Sequence, residues 1–477
     1  MARIAVIIRR RLVLALLVAG AASWLSLARA GDAPPTAAPA PAPAAPSVPV
    51  AETAAERGYR WLTTKAYVPS TFDRATFEAL WTVWPEPERT TAEMAGPDER
   101  RRMIFERYGF TPFPGDPTRA LQYVEDAQRR WSISCLACHA GALAGTPVPG
   151  LPNANFAFQS LADDVVAVQR RRGTESPSRS MLQFPIPLGE TVGTTNAVVF
   201  SAALLQFRDK DLNVVFPKKP PHFVHHDLDA PPWWNVRKRD RLYVDGFAKK
   251  SPRALMQFVM IPTNGAEKVK GWESDFEDVL AYIESIPPPT WPHAVDRDLA
   301  AKGRPIFDRT CARCHGTYGD HPTYPGVDVP LAEIGTDRLR HDAVTSEERA
   351  LYGASWFTGY DPSTVHVDPK GYVAPPLDGI FASAPYFHDG AVPTLWHVLH
   401  PDARPAAWRR RSSTGYDLER VGLDVETRDA VPAGLSGHER RTWFDTTKPG
   451  KSAAGHRFPD ALPEDEKRAV LEYLKTL

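Results

Sequence analysis

The chain has 477 residues, and its 57 Lys plus Arg are balanced by 57 Asp plus Glu. That length supplies material for two or three domains with real cores, and the balanced charge argues against a general nucleic-acid or membrane-surface binder. Hydrophobic residues make up 43% of the chain, an ordinary share, but 47 prolines are an excess that predicts long loops and linkers.

The chain opens like a secretory leader. Arg3 and the run Arg9, Arg10 and Arg11 form a positive n-region, residues 12–27 are apolar, and Ala28-Arg29-Ala30 is a small-x-small cleavage site. Residues 1–30 therefore read as a signal peptide, and the protein is expected in the periplasm or outside a bacterial cell. An uncleaved anchor competes, but the apolar run is short for a bilayer span, and no later stretch is apolar enough to cross one. Residues 31–51 are nearly all Ala and Pro and read as a semi-rigid linker.

Residues 97–129 mix charged and apolar positions and read as mostly helical. They lead into Cys135-Leu136-Ala137-Cys138-His139, a Gly/Pro-rich loop at 141–152 and a long insertion reaching about residue 269. Residues 274–286 form an amphipathic helix, with Ser274 as its cap, Glu277 completing a capping box and Pro287-Pro288-Pro289 as its stop. A helix near 296–307 leads into Cys311-Ala312-Arg313-Cys314-His315, and a last helix at 463–477 has an acidic first turn.

These two motifs use every cysteine in the chain. C-x-x-C-H is the pattern of c-type haem attachment: two thiols add to the vinyl groups on one porphyrin edge, and the next histidine lies under the iron. By composition such a motif would arise about 0.001 times in this chain, so two copies are not chance. A thioredoxin-like pair would not need the histidine, and a four-cysteine zinc site would not need one after each pair. The cofactors read here are two covalent haem c groups, held by Cys135, Cys138 and His139 and by Cys311, Cys314 and His315. The expected fold class is mainly α, with two cytochrome c-like haem domains and long irregular loops. The N-terminal domain spans 52–288 with its insertion, and the C-terminal one spans 289–477.

The sixth iron position separates the two haems. No methionine follows Met260, so the second haem has none in its own domain and a histidine or a tyrosine is the expected ligand. His456, in a loop before the closing helix, and His388, in Pro385-Tyr386-Phe387-His388-Asp389-Gly390, stand out among the histidines after motif two. For the first haem, Met181, Met256, Met260, His222, His225 and His226 all stay open. An unfilled position there would admit O2 or peroxide.

The stretch APYFHDGAVPTL (384–395), beside the two motifs, resembles the bacterial dihaem cytochrome c peroxidase superfamily. Phe105-Glu106-Arg107-Tyr108-Gly109, Val148-Pro149-Gly150-Leu151-Pro152-Asn153, Gly371-Tyr372-Val373-Ala374-Pro375-Pro376-Leu377 and the closing FDTTKPG, AGH and LEYLKTL segments resemble its rubber-oxygenase-like branch. The resemblance covers most of 55–477. It implies a mainly helical two-domain fold, a motif-one haem that activates O2 or peroxide, and a six-coordinate motif-two haem that passes electrons. Tyr243 and Phe258 are then candidates for lining the open face, and Trp233, Trp234 and Trp272 for relaying electrons. The histidine of the PYxHDG stretch need not be a ligand in such proteins. A calcium ion between the domains is also compatible with the resemblance; polyisoprene as substrate is not implied, because the chain is shorter after motif two than rubber oxygenases are.

The function so read is that of an exported, peroxidase- or dioxygenase-like haem oxidoreductase. Its partners would be small redox proteins or quinol-linked donors together with O2 or peroxide, with no nucleic acid and no stable membrane span after processing. The alternatives are a non-catalytic electron-transfer cytochrome and a zinc- or disulfide-stabilised binding module.

Overall fold

The computed structural model describes residues 51–143, 145–174, 188–216 and 224–477. The leader at 1–30, all but the last residue of the linker, Met181 and His222 lie outside the described residues. Residues Glu52–Leu477 form one unit. No helix among the described residues is long and apolar enough to cross a membrane.

The helices that position the two motifs are α1 (Ala54–Thr64), α2 (Pro97–Tyr108), α3 (Leu136–His139), α4 (Phe158–Arg172), α5 (Glu273–Ser285), α6 (Arg297–Thr310), α7 (Ala312–His315), α8 (Leu395–Leu399) and α9 (Glu464–Leu474). Helix α1 begins at a full capping box: the Glu56 amide donates to Thr53 Oγ1 at 3.2 Å, and the Thr53 amide donates to the Glu56 carboxylate at 2.8 Å. Asp296 caps α6 by accepting the Leu299 amide at 3.0 Å.

Two helix crossings repeat the same design. Helix α1 packs across α5, and α6 packs across α9. At each crossing a glycine lets the backbones touch. A Cβ on Gly58 would stand 2.1 Å from the Asp278 carbonyl oxygen and 2.8 Å from Tyr282 Cβ. A Cβ on Gly303 would stand 2.0 Å from the Ala469 carbonyl oxygen and 2.9 Å from Tyr473 Cβ. In both closing helices the tyrosine follows the touched carbonyl by one helical turn, so the glycine fits between carbonyl and ring on one face.

Short strands fill much of the remainder: β1 (Phe72–Asp73), β2 (Tyr123–Glu125), β3 (Arg130–Ile133), β4 (Ala140–Leu143), β5 (Thr146–Pro149), β6 (Asp328–Pro330), β7 (Gly371–Val373), β8 (Ala407–Arg410), β9 (Val425–Arg428) and β10 (Phe444–Asp445). They form a three-stranded sheet in the order β1–β3–β2, another in the order β9–β8–β10, and antiparallel pairs β4–β5 and β6–β7.

These sheets correct the expectation of a mainly α fold. Of the described residues 42% are helix and 14% strand, a mixed α/β architecture with several small sheets. The helix expected over 97–129 stops at Tyr108, and the residues beyond it enter a sheet in which Trp131 lies opposite Phe72 and Tyr123 opposite Ile133. Aromatic and β-branched residues stabilise such pairs by burial against a partner strand, and strands of two to four residues are too short to leave a period in the sequence. The loop expected at 141–152 is largely the β4–β5 hairpin, with Ala140 opposite Pro149. The helix expected from Ser274 begins at Glu273, with Trp272 at the cap position and no side-chain cap bond.

The apolar residues gather in separate clusters. One holds Phe72, Phe105, Tyr108, Trp131 and Phe156, and Cys138 packs against it. A smaller one holds Leu136, Trp233, Trp234 and Ile283, and Cys135 packs against it. A third is built almost wholly from the C-terminal third, with Phe307, Tyr386, Val470 and Leu474, and Cys311 packs against it.

Candidate functional site

Motif one lies on the single turn α3 and is held by the chain that follows. The His139 carbonyl accepts the Gly150 amide at 2.6 Å, and the Cys138 carbonyl accepts the Asn153 amide at 2.9 Å. The buried Asn153 side-chain amide donates to the Gly109 and Ala137 carbonyls at 2.8 and 3.1 Å. Burial pushes the Cys135 thiol up to about 11 and the Cys138 thiol up to about 12. Cys311 is pushed to about 12, chiefly by burial. Such thiols stay protonated at neutral pH and are poor exchange nucleophiles.

All four cysteines are unpaired. Among the described residues, no three His, Cys, Asp or Glu side chains gather as a metal set. The four cysteines therefore do not converge on a zinc ion, and neither the zinc nor the disulfide reading fits.

The imidazoles fit a different group. The His139 ring stacks on Trp233, with centroids 4.7 Å apart and planes 23° apart. Burial lowers its pKa to about 4, against a smaller opposing effect of the Pro231 carbonyl, and its buried Nδ1 has no hydrogen-bond partner. The ring is thus neutral, the form of a metal-binding imidazole. In motif two, on α7, His315 Nδ1 donates to the Pro375 carbonyl at 2.8 Å. That bond fixes the ring and turns the other nitrogen outward as a lone-pair donor, the outer-sphere arrangement typical of metal-bound histidine.

His456 faces His315. The ring centroids are 6.2 Å apart. With metal–imidazole bonds of roughly 2.0–2.1 Å, two rings on one metal stand about 6 Å apart, centroid to centroid. His456 is held near a pKa of about 3, chiefly by burial and then by the charges of His315 and Arg404, and its buried Nδ1 is unpartnered. Its backbone has φ 47°, an unfavourable region for a side-chain-bearing residue. Its amide donates to the Ile334 carbonyl at 2.6 Å, and Phe458 and Phe387 flank the ring with centroids at 5.3 and 6.0 Å. This pair of half-buried imidazoles, walled by phenyl rings and next to two thiols, suits a haem.

His388 lies elsewhere. Its ring packs 4.5 Å from Tyr372, in a buried region where burial, Arg340 and His226 hold it neutral with a pKa near 3. Tyr243 stacks on Phe247 at 4.8 Å; its hydroxyl donates to the Ala254 carbonyl at 3.0 Å and accepts from Gln257 Nε2 at 2.7 Å. Met256 and Met260 are buried in the same apolar cluster, which neither Cys135 nor Cys138 joins. Phe258 is half-buried. His225 lies 3.5 Å from the Asp227 carboxylate, and the buried His226 Nδ1 is 2.9 Å from the Val224 carbonyl oxygen.

The segment 375–378 joins the two motifs. At one end the Pro375 carbonyl accepts from His315. At the other the Asp378 carbonyl accepts the Trp234 indole N–H at 2.7 Å, and Pro376 accepts from Asn235 Nδ2 at 2.9 Å. Trp233, next in the chain, lies on His139. Two of the tryptophans singled out in the sequence thus stand between the motif histidines. The third, Trp272, packs edge-on against Tyr67 at 5.1 Å. The carbonyls of 375–378 were invisible as function, since a backbone acceptor carries no residue signature.

Two proteins of Sinorhizobium fredii are similar to this chain. One, named uncharacterized protein y4iM, is 27% identical over 313 residues, covering 55% of this chain and 67% of the relative. The other, uncharacterized protein y4iJ, is 29% identical over 255 residues, covering 40% of this chain and 41% of the relative, so the chain spans less than half of that protein. Residues 371–409 match the family described as RoxA-like, cytochrome c-like. The matched segment contains the Pro375 carbonyl that orients His315 and the Asp378 carbonyl that holds Trp234. This match supports a RoxA-like cytochrome c, a haem-dependent oxidoreductase of the cytochrome type, and a cytochrome c-like segment implies covalently bound haem c.

Proposed function

We propose that the protein is an exported dihaem c-type cytochrome whose first haem site activates O2 or peroxide and whose second transfers electrons. The observation that carries the division of labour is the His315–His456 spacing of 6.2 Å, which leaves motif two with a histidine on each side. On the His139 side, the ring partner is the flat indole of Trp233, which fixes the imidazole plane without supplying a second ligand. The repeated glycine crossing, α1 with α5 and α6 with α9, supports a haem site beside each helix pair within the single 52–477 unit.

When bound, haem supplies redox-active iron, with a potential set by its axial ligands and surroundings. The chain's own residues do the rest. Cys135, Cys138, Cys311 and Cys314 would attach the two haems, and His139 and His315 would bind their irons. His456 is the proposed sixth ligand of the second site, with His388 as a neighbour rather than a ligand. Trp233 and Trp234, with the 375–378 carbonyls, form the proposed electron path. Tyr243, whose φ of 68° is a strained value of the kind found at functional sites, and Phe258 are the proposed lining of the open face. Small redox proteins or quinol-linked donors would supply or take the electrons.

The test is haem content and reactivity of the full chain. Intact mass should show two covalent haems, with one lost in C135S/C138S and one in C311S/C314S. Peroxide or O2 should alter the visible spectrum of the C311S/C314S protein, whose motif-one site is intact, and not that of C135S/C138S. Fewer than two haems, or a response confined to the motif-two site, would overturn the reading.

A further inference from the structure

The loop that presents His456 has little to hold it in place by itself. Gly455 (φ 80°) and His456 (φ 47°) both lie in the left-handed region, and a Cβ on Gly455 would stand 2.2 Å from the Gly335 carbonyl carbon. Such a turn persists only where its surroundings over-determine it. The His456 amide bond to Ile334 is one restraint. The Ser452 amide bond to Asp337 at 3.2 Å and the Ala454 amide bond to Ser452 Oγ at 3.2 Å hold the residues before it. A further restraint is a single side chain from a distant part of the sequence.

Arg404 spends its whole guanidinium on this turn and on the end of α8. Nη1 donates to the Ala453 carbonyl at 2.6 Å and the Gly455 carbonyl at 2.7 Å, both just before His456. Nε donates to the His397 carbonyl at 3.0 Å and Nη2 to the Val398 carbonyl at 3.2 Å, two of the last-turn acceptors that a helix leaves without partners. The guanidinium lies 4.9 Å from the ring centroid of Phe387, which is itself 6.0 Å from the His456 ring.

Among the described residues no carboxylate forms a direct ion pair with Arg404: the nearby Asp402 and Asp460, which act on its charge from a distance, are paired with Arg457 at 2.8 and 2.7 Å. The guanidinium is therefore held by carbonyl dipoles, and its charge is felt at His456.

We propose that Arg404 is a positioning residue for the second haem site: it clamps the 453–455 turn so that His456 faces His315, and its charge raises the reduction potential of the iron held there. The proposal rests on His456 as the sixth ligand. The electrostatic part follows because oxidised iron carries one more positive charge than reduced iron, so a fixed cation nearby disfavours the oxidised form.

The test uses the full-length haem-loaded protein and reads low-temperature electron paramagnetic resonance and midpoint potential. H456A should convert the second haem from low-spin to high-spin. R404Q should lower the potential of that haem and convert part of its low-spin signal to high-spin. R404K should restore the potential, because the charge returns, while keeping some high-spin signal, because an ammonium cannot hold four carbonyls at once. If H456A changes the spectrum but R404Q leaves both spectrum and potential as in the wild type, the Arg404 proposal is wrong and the ligand assignment stands. If H456A leaves the second haem low-spin, the ligand assignment itself fails, and the Arg404 proposal with it. Should R404Q not accumulate with haem, R404K decides: a high-spin component supports the clamp, and a wild-type spectrum and potential overturn it.

Discussion

A single buried carboxylate, Asp245, lies between two guanidiniums. Arg349 reaches it at 2.9 Å and Arg340 at 3.2 Å, and the three side chains are 0%, 3% and 1% exposed, respectively. Burial alone would raise the Asp245 pKa, but Arg340 and Arg349 outweigh it and hold the carboxyl below its usual range. The set joins the Tyr243–Phe247 turn to the 339–353 region, and the Arg340 charge helps keep His388 and His226 neutral. Removing the carboxylate would leave two cations out of water with no counter-charge. D245N is therefore expected to lose about 3–5 kcal/mol of stability, read as a fall in the midpoint of denaturant unfolding. R349M, which leaves the Asp245–Arg340 pair, should lose clearly less. Equal losses would show that the carboxylate is not the keystone of this set. None of this was legible in the sequence, where Asp245 is one acid in an aromatic stretch. The two C-x-x-C-H motifs were, because Cys, Cys and His at fixed spacing need no tertiary context to be recognised. The choice of His456 over His388 depended on which loop folds back onto His315. That is a long-range matter that the sequence could only narrow to a few histidines.

At the scale of elements, the sequence disclosed both helices around motif two but, around motif one, only the closing helix α5. Helices α6 and α9 pair beside the second C-x-x-C-H, with the Asp296 cap of α6, the acidic first turn of α9 and both apolar faces clear. The first motif is separated from its opening helix by the whole β1–β3–β2 sheet and α2. The stretch at 97–129 lies nearer the motif in the sequence, but α1 at 54–64 is the helix that meets the closing helix α5. A signal was available: Gly58 and Tyr282 stand to α1 and α5 as Gly303 and Tyr473 stand to α6 and α9. The same geometry makes a prediction. An alanine at 303 would put its Cβ within 2.0 Å of the Ala469 carbonyl oxygen, a backbone atom that can yield only if the helices separate. G303A should cost about 1–3 kcal/mol, as overpacking of a tight contact does, and should weaken haem retention at motif two more than at motif one. G58A should do the reverse. Thermal melts and haem content per motif check both, and an innocuous G303A would mean the crossing can widen freely.

For the molecule as a whole, acid is the condition to which this architecture is most exposed. His226 and His397 are nearly fully buried, at 2% and 3% exposure, and His438 is half-buried. Burial comes first in lowering each of them, followed by Arg340 at His226, Arg420 at His397, and Arg107 and Arg441 at His438. The resulting values are about 4, about 4 and about 3. In the unfolded chain each would titrate at its ordinary value of about 6.5. Between those limits the unfolded chain binds more protons than the native one, so stability rises with pH across the window and is lost as pH falls from about 6.5 toward 4. Above about 6.5 both states are neutral at these sites, and the slope should vanish. For His397 alone, whose Nδ1 lies 2.7 Å from Thr394 Oγ1, linkage gives about 2 kcal/mol of lost stability at pH 5 relative to pH 8. The melting temperature of the haem-loaded protein should accordingly be flat from pH 8 to about 6.5 and fall steeply below it. H397N removes the titrating group, so its pH 5 to pH 8 difference should shrink by about that amount. A variant with the wild-type slope would mean that His397 does not titrate between the native and unfolded states, and that acid acts through the carboxylate pairs instead.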